Sequence, residues 1–359
     1  MVLYITYHLE EIPKHAIYET GDYSIMNLTW GMVGNSHDAS LAVFNTHIAG
    51  LTDHYKTDLL WASLAKDFSN VPHDPDPNWT MLEVARQSFG PPEKIIWYER
   101  PFLKTLRQWR AGQGWLWKEN NIKEYLARWD INHPIEYTQH HLSHAAYAYY
   151  TQPYDDCAVI CLDSIGEFET LTIWHGKKNN LEQVYSQGYP HSLGLFYSAM
   201  TQRMGLTPQR DEYKVSQWAK KGDPTRLLDV MRKELIDINH DKRNPQEIRM
   251  RENLHRGCMW WRPELESQQD LYDIAAATQT VFEYAVNILS IYAKLHTGSN
   301  NVAFSGGGAL NKDAIDKIRN QWETVYVPQN PGDPGSCIGA VLAKTKQKIV
   351  LDKQWYQKV

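Results

Sequence analysis

The sequence predicts an α/β protein with two domains. Short apolar runs typical of buried strands alternate with segments of helical periodicity, which is the pattern of α/β folds. The chain has 359 residues, 42% of them hydrophobic, so it exceeds the usual size of one domain and can form a packed core. A stretch from about 188 to 262 separates two such halves, and we expect it to hold a substrate-specific insert.

The elements can be placed in order along the chain. The turn-rich segment Val71–Asn78 predicts a loop, and a helix is expected around His140–Tyr150. The apolar run Cys157–Leu162 predicts a buried strand that delivers an acid at its end. Apolar residues recur at helical spacing over Asp270–His296 and predict the clearest helix. Asn301–Phe304 predicts a second strand that runs into a glycine turn.

Composition excludes several classes of protein. A net charge of -5 argues against a wholly basic nucleic-acid binder. The four cysteines form no CxxC pair, which excludes a zinc ribbon and a thioredoxin-like motif. The N-terminal segment lacks the pattern of a signal peptide, and we expect no stretch that spans a bilayer. These features predict a soluble protein of the reducing cytoplasm that makes no membrane contact.

A histidine pair is the first candidate site. In the segment HHLSHAA, His140 and His144 lie one helical turn apart, so both imidazoles can reach one metal ion. The zinc-protease pattern has a glutamate where His141 stands, so proteolysis is disfavoured. Such a pair also occurs as two ordinary polar residues of a helix, and the spacing alone leaves both interpretations open.

Carboxylates and glycines supply the other candidate ligands. Asp163 ends a predicted strand, and Asp333 lies in a tight turn, so the two acids could complete a two-His, two-Asp metal site. That ligand mixture suits Fe(II), Mn(II) or Zn(II). The glycines at 306–308 would let the backbone approach a nucleotide closely. A turn-forming aspartate and a plain strand-to-helix turn are the alternatives.

Seven motifs in order resemble the O-carbamoyltransferase family of the nodulation and cephamycin-biosynthesis type. The resemblance runs from about residue 30 to 345 and covers nearly the whole chain. The motifs are GNSHDAS (34–40), HHLSHAA (140–146), DSIGE (163–167), PHSLGLFYS (190–198), DEYKV (211–215), GGGALN (306–311) and GDPGSCIGA (332–340).

The resemblance implies two ribonuclease-H-like lobes, as in actin and sugar kinases, with a nucleotide cleft between them. The lobes would cover residues 1–155 and 156–359. It implies a metal, iron by preference and Mg²⁺ as a further candidate, together with ATP or carbamoyl-adenylate. The implied metal ligands are His140, His144, Asp163 and Asp333. The implied nucleotide contacts are Asn35, Ser36, His37, Gly166, Glu167, Gly306, Gly307 and Gly308, with Asn311 and Lys214 as further candidates.

The resemblance also implies a source for the carbamoyl group. Family members usually carry a YrdC-like C-terminal domain that makes carbamoyl-adenylate from carbamoyl phosphate and ATP, and this sequence ends near the close of the first domain. We therefore expect either a separate YrdC-like protein or direct use of a carbamoyl donor. A homo-oligomer is among the expected states. As general base for the acceptor hydroxyl, His37 is the first candidate and His141 the second, against simple hydrogen bonding in a loop or helix.

Two segments of interleaved basic and aromatic residues bear on the acceptor. This composition suits phosphate contacts and base stacking, and solvated helix faces with buried tryptophans are the alternative. The first interpretation predicts a nucleotide or DNA acceptor, for example a hydroxymethylated pyrimidine, whereas a sugar or natural product is the family's more usual acceptor. The segments are Lys104, Arg107, Trp109, Arg110, Trp115, Trp117 and Lys118, and Lys242, Arg243, Arg249, Arg251, Arg256, Trp260, Trp261 and Arg262.

Two other functional classes remain as alternatives. The tRNA threonylcarbamoyl-transfer proteins share the lobes and the histidine pair, but their signature has Glu-Gly where Leu142 and Ser143 stand. A non-catalytic, actin-like nucleotide-binding partner is the other, and it would not need two histidines and two aspartates at one metal.

Overall fold

A computed structural model describes residues 27–48, 55–238 and 248–351. The N-terminal segment considered for a signal peptide, and Lys242 and Arg243 of the second basic segment, lie outside the described residues. The strands are β1 (Leu28–Val33), β2 (Ser40–Ile48), β3 (Tyr55–Leu64), β4 (Lys94–Trp97), β5 (Ile135–Tyr137), β6 (Asp156–Gly166), β7 (Glu169–Lys177), β8 (Asn180–Gly188), β9 (Ile236–Ile238), β10 (Ile248–Met250), β11 (Asn301–Ser305) and β12 (Thr324–Tyr326).

Two five-stranded sheets share one topology. Their strand orders are β3-β2-β1-β4-β5 and β8-β7-β6-β11-β12, and β9 pairs with β10 as a separate ribbon. In each sheet the first three strands form an antiparallel meander. The last two strands then add parallel to the first strand of that meander. This repeated arrangement is that of a ribonuclease-H-like lobe, and it confirms the predicted two-lobed α/β fold.

Helices connect and cover the sheets, and the two predicted helices and the predicted loop are confirmed. The helix expected around His140–Tyr150 has those bounds, and Val71–Asn78 contains neither helix nor strand. The helices are α1 (Lys66–Ser69), α2 (Trp79–Phe89), α3 (Pro101–Arg110), α4 (Ile122–Ala127), α5 (His140–Tyr150), α6 (Leu193–Arg203), α7 (Glu212–Ala219), α8 (Leu228–Glu234), α9 (Gln268–Thr297), α10 (Lys312–Ile318) and α11 (Ser336–Thr345).

Strand β6 is buried on both faces, which explains its uninterrupted apolar run. Cys157, Val159 and Cys161 face a core shared with the first sheet, α5 and α11. The alternate residues of the strand, from Ala158 to Leu162, face a second core with α6 and α9. Because side chains alternate across a strand, a central strand between two cores must be apolar at every position. Asp163 follows directly, where the strand leaves the core.

The final helix of each lobe packs on the sheet of the other lobe. Helix α5 follows the first sheet but contacts β6 and β11, while α11 follows the second sheet but contacts β1 and β2. The two helices cross closely, since a Cβ at Gly339 would lie 1.8 Å from the Ser143 carbonyl oxygen. The crossing brings the start of α5 beside the turn that precedes α11. The division that we placed at residue 155 falls between α5 and β6.

The segment 188–262 adds α6, α7, α8 and the small ribbon to the second lobe, where they pack with α9. Helix α9 begins with a capping box between Ser267 and Asp270 and ends at Gly298 in the left-handed conformation (φ 66°). Within the described ranges, α9 is the one helix long and apolar enough to cross a membrane, whereas we expected no such stretch from the sequence. However, 78% of its apolar window is buried inside the structure, as in a core helix.

Candidate metal centre between the lobes

The start of α5 presents two histidines toward one point. His140 and His144 are one helical turn apart, and their Nε2 atoms are 3.1 Å from each other. Both side chains are buried, with 2% and 0% exposure. Two ring nitrogens at this distance need either a shared proton or a shared cation between them. The helical pairing expected from the sequence is therefore present in the structure.

Two aspartates of the second lobe complete the cluster, one on β6 and one in the turn before α11. The Oδ2 atom of Asp163 lies 3.2 Å from the His140 Nε2, and the Oδ1 atom of Asp333 lies 3.3 Å from the His144 Nε2. One ligand atom from each of the four residues lies within 4.8 Å of all the others. Ligands at 2.0–2.1 Å from a tetrahedral ion are about 3.3 Å apart, so the spacing fits a single metal ion.

Electrostatics also fits a cation at this point. Burial lowers the pKa of His140, but Asp333 and Asp163 outweigh burial and raise that pKa to about 9. Burial raises the pKa of Asp163 and of Asp333, yet the histidines hold both carboxyl pKa values below their ordinary range. The carboxylates thus attract positive charge to the cluster, which a divalent cation would supply in place of a proton. The mixed nitrogen and oxygen donors suit Fe(II), Mn(II) or Zn(II).

The outer ring nitrogens of the two histidines have different surroundings. The His144 Nδ1 lies 3.3 Å from the Ser336 Oγ. The His140 Nδ1 is buried without a hydrogen-bond partner, and Glu99 Oε2 lies 3.9 Å away from it. The other oxygen of Glu99 accepts a hydrogen bond from the Lys104 Nζ at 2.7 Å. Sequence reasoning missed Glu99, because an acid beyond the end of a short strand carries no distinctive local pattern.

Gly166, predicted as a nucleotide contact, has a packing role beside the metal cluster. A Cβ at this position would lie 2.0 Å from the His140 Cδ2, so the ring occupies the space that a side chain would fill. The next residue, Glu167, is buried in the left-handed conformation (φ 47°), and its carboxylate binds the Arg100 guanidinium at 2.6 Å. Gly166 thus makes room for His140 and Glu167 forms an ion pair between the lobes, while nucleotide contacts by these two residues stay predictions.

The β1–β2 turn of the first lobe brings His37 to the cluster. The His37 Nε2 lies 3.7 Å from the Asp333 Oδ2, and its Nδ1 lies 2.9 Å from the Asp38 Oδ2. Burial lowers the pKa of His37, but the Asp38 hydrogen bond and Asp333 raise it to about 9. A second histidine, His73, contacts the same Asp38 carboxylate at 3.0 Å. Sequence reasoning missed His73, because a single histidine in the predicted loop belongs to no recognisable pattern.

Asn35 and Ser36 of the same turn have partners within the first lobe. The Asn35 Nδ2 donates to the Glu119 carbonyl at 2.7 Å, and its backbone is in the left-handed conformation (φ 56°). Ser36 hydrogen-bonds the buried Tyr98 hydroxyl, and the Tyr98 ring lies 5.3 Å from the His140 ring. Nucleotide contacts by Asn35 and Ser36 stay predictions.

His141, our second candidate for general base, is not available to a substrate. Its side chain is fully buried, with 0% exposure. Its Nδ1 lies 3.0 Å from the Thr172 Oγ1 and its Nε2 lies 3.1 Å from the Glu169 carbonyl oxygen. Burial, reinforced by the charge of His140, lowers the pKa of His141 to about 3. The helix hydrogen-bonding alternative therefore describes His141.

The glycine turn at 306–308 lies against the end of β6. Gly306 is in the left-handed conformation (φ 81°), and its missing Cβ leaves room for the Leu162 carbonyl. Gly307 is exposed, and a Cβ there would lie 3.7 Å from the Asp163 Oδ1. At Gly308 a Cβ would lie 2.6 Å from the Leu162 Cβ. Of these three glycines, Gly307 thus presents open backbone beside the metal ligands.

Two further candidates for nucleotide binding have partners within the protein. Asn311 caps α10, and its side chain exchanges two hydrogen bonds with Gln279 at 2.9 and 3.0 Å. Lys214 forms an ion pair with Asp211 at 3.0 Å. The contacts of these two side chains do not place either of them at the metal cluster, and a nucleotide contact by either stays a prediction.

The two basic and aromatic segments meet across the lobes. The Gln113 Nε2 lies 3.3 Å from the His255 Nε2, and a Cβ at Gly112 would lie 3.9 Å from the Arg256 Nη2. The buried-tryptophan alternative describes Trp261, which is 1% exposed. Most of the other aromatic residues of the segments are exposed.

The fold and the site define a two-lobed α/β protein with a candidate metal centre between the lobes. The family model for the carbamoyltransferase N-terminus matches residues 100–342, and the chain belongs to this family. The four clustered ligands lie inside that match, whereas His37 precedes it.

The chain is also similar to individual proteins and solved structures. The chain is 29% identical to the uncharacterized protein sll1178 of Synechocystis sp., over 85% of this chain and 58% of that protein. It is 26% identical to the nodulation protein NolNO of Sinorhizobium fredii, over 59% of this chain and 32% of that protein. A crystal structure of HypF from T. kodakarensis aligns with a TM-score of 0.45 at 15% identity, over 89% of this chain and 48% of that one. The chain thus spans less than two thirds of the length of these relatives.

Proposed function

We propose that this chain transfers a carbamoyl group from carbamoyl phosphate or carbamoyl-adenylate to an acceptor hydroxyl. The observation that carries the proposal is the convergence of His140, His144, Asp163 and Asp333 beside His37, in a chain that belongs to a carbamoyltransferase family. A buried site between two lobes can exclude water, which otherwise competes with the acceptor for the carbamoyl group.

The four clustered residues would hold Fe(II) or another divalent ion, with Mg²⁺ as a further candidate. When bound, such an ion supplies a template and a Lewis acid for the phosphate of the donor. The turns at Asn35–His37 and Gly306–Gly308 would hold ATP or carbamoyl-adenylate through backbone N–H groups. The exposure of Gly307 beside Asp163 supports this placement, because a phosphate could approach the backbone there.

His37 is the proposed general base. Its Nδ1 is held by Asp38, which leaves the Nε2 directed toward the cluster to accept the hydroxyl proton. The acceptor oxygen forms a bond to the carbamoyl carbon, and the bond from that carbon to the phosphate oxygen breaks. Phosphate or AMP then leaves with the electron pair. A divalent cation at the ligands would offset the Asp333 charge and lower the pKa of His37 toward the range that a base requires.

For the acceptor we propose a hydroxymethylated pyrimidine, such as 5-hydroxymethylcytosine in DNA or the corresponding nucleotide. The meeting of the two basic and aromatic segments across the lobes supports this class over a sugar or natural product. A separate YrdC-like protein is the proposed source of carbamoyl-adenylate, with carbamoyl phosphate used directly as the alternative. The four cysteines are buried thiols, which supports a reducing compartment such as the cytoplasm.

Mass spectrometry of candidate acceptors tests the proposal. The protein is incubated with Fe(II), ATP and carbamoyl phosphate, with and without a YrdC-like protein. The acceptors are single-stranded DNA containing 5-hydroxymethylcytosine, the free nucleotide and an aminoglycoside. We expect one added carbamoyl group, which is absent with His144→Ala and retained with Lys56→Ala, an exposed residue on β3. No added mass on any acceptor in either arm would contradict carbamoyl transfer.

A further inference from the structure

Four tryptophans of the two segments that meet across the lobes are exposed, and so is Phe102, whose ring lies 6.3 Å from the Trp117 ring. We call them the aromatic surface, and their exposure ranges from 44 to 58%: Phe102, Trp109, Trp115, Trp117 and Trp260. Other tryptophans of the chain, such as Trp30 and Trp97, are fully buried with 0% exposure. Exposed aromatic residues at this density need an explanation, because each leaves a large apolar area in water.

Helix α3, which carries Phe102 and Trp109 of the aromatic surface, is anchored to the residue that follows Gly166. Helix α3 begins beside Glu167, whose carboxylate forms an ion pair with Arg100. Glu167 follows Gly166, the glycine that makes room for the His140 ring. The Arg107 Nε also donates to the Glu167 carbonyl at 3.1 Å. Trp109 follows Arg107 by two residues, and Trp115 and Trp117 come shortly after α3 ends. The contacts of Arg100 and Arg107 with Glu167 therefore connect this part of the first lobe to the strand end that carries Asp163.

The surface also carries positive charge on a chain of net charge -5. Arg110, Lys118 and Arg256 are exposed, and none of them pairs with a carboxylate among the described residues. Arg256 stands next to Gly112, so a cation of the second segment lies beside the first segment. Uncompensated cations beside planar apolar rings suit a ligand that has both phosphates and flat bases.

We propose that the aromatic surface binds single-stranded nucleic acid, with bases stacked on the tryptophans and phosphates at the three cations. This inference rests on the proposed function for its role, since the strand would present its hydroxyl acceptor to the site. A carbohydrate also stacks on tryptophan, but its hydroxyls call for carboxylates and amides rather than unpaired cations. A duplex keeps its bases inside the stack, whereas the buried metal cluster accepts only an extruded or unpaired base.

Fluorescence anisotropy tests the inference without metal, ATP or carbamoyl phosphate. The probe is a fluorescein-labelled twelve-nucleotide DNA strand of mixed sequence, compared with the same strand in a duplex. We expect the single strand to bind more tightly, and Trp115→Ala to weaken its binding about tenfold. Trp79→Ala is the matched control, because this tryptophan is 52% exposed on α2, outside the aromatic surface, and we expect it to leave binding unchanged.

The dependence of binding on salt tests the charged part of the surface. Three phosphate contacts predict that log K falls with log salt concentration at a slope of about -2, and Arg256→Gln should reduce that slope by about 0.7. Arg319→Gln, which removes an exposed cation paired with Asp316 elsewhere in the second lobe, should leave the slope unchanged.

Several results would overturn the inference: no binding of the single strand, equal losses with Trp115→Ala and Trp79→Ala, tighter binding of the duplex, or displacement of the strand by an oligosaccharide. These results are distinguishable from failure of the proposed function. Carbamoylation of a small acceptor without strand binding would retain the transferase and reject the surface. Strand binding without carbamoylation of any acceptor would retain the surface and reject the transferase.

Discussion

The two lobes repeat one sheet topology, but their equivalent turns carry different chemistry. In the first lobe the β1–β2 turn presents His37, which the neighbouring Asp38 orients. In the second lobe β6 carries Asp163 just before its turn, where Gly166 makes room for a histidine from the other half of the chain. The repeated scaffold thus supplies a candidate base on one side and a metal ligand on the other.

The crossing helices show the same division of roles. Helix α5 carries both histidines at its start, whereas α11 carries small residues where α5 crosses it and follows the turn that holds Asp333. Residues 1–155 and residues 156–359, the two halves of the chain, therefore contribute two ligands each, and neither half holds the cluster alone. The site therefore depends on the close packing of α5 against α11 as much as on the ligand residues.

Removal of a ligand from either half should have the largest effect. We expect His144→Ala and Asp163→Asn each to lower metal affinity by more than about 100-fold, because the remaining ligands leave one coordination position unfilled. Isothermal titration with Mn(II) or Zn(II) measures the affinity. The control is His141→Gln, whose residue lies beside the ligands but bonds Thr172 and Glu169 instead. An unchanged metal affinity in either variant would exclude the substituted residue as a ligand.

The helix crossing can be broken at a single glycine. Gly339→Ala places a Cβ where the Ser143 carbonyl oxygen would be 1.8 Å away. We expect the free energy of unfolding to fall by about 3 kcal/mol, since neither backbone can move without separating the helices. Gly307→Ala is the control, because its nearest neighbour is 3.7 Å away, and it should cost less than about 1 kcal/mol. Chemical denaturation gives both values, and equal losses would show that the crossing is loose.

The sequence predicted the metal ligands better than their surroundings. His140 and His144 are separated by one helical turn, and Asp163 closes an apolar strand, so local periodicity places all three. Glu99 and Ser336 support the histidines through contacts between distant parts of the chain, and a local pattern does not contain such contacts. The packing of Gly166 against His140 was missed for the same reason, because it depends on a ring from another element.

The two ligand histidines differ in the residue behind the ring, which is Glu99 for His140 and Ser336 for His144. Glu99 is the carboxylate closest to the His140 Nδ1, and Lys104 holds its other oxygen. We expect Glu99→Gln to lower metal affinity by about 10- to 100-fold, because a carboxylate behind a ligand histidine fixes the ring and raises its basicity. Glu136→Gln, which removes a surface partner of Lys94 in the same lobe, is the control. Equal affinities in the two variants would exclude this role for Glu99.

The smallest expected effect is on the pH dependence of the metal-free protein. The pKa of His140 is raised to about 9 from an ordinary value of 6.5. The stabilisation from its proton is therefore complete below about pH 6.5 and is lost as the pH rises through about 9. Thermal unfolding midpoints should fall over this window, and less so in His140→Gln. A midpoint that rises over the same window by the same amount in both proteins would contradict the assigned charge state.

X-ray absorption spectroscopy of the metal-loaded protein shows which atoms coordinate the ion. It therefore tests whether one ion is held by the histidines of α5 together with Asp163 and Asp333. With Fe(II) or Zn(II) at one equivalent, we expect a first shell of oxygen and nitrogen that includes two imidazoles, and loss of one imidazole in His144→Ala. A shell with sulfur or without imidazole, or a spectrum unchanged in His144→Ala, would show that the ion lies elsewhere and would contradict the proposed centre.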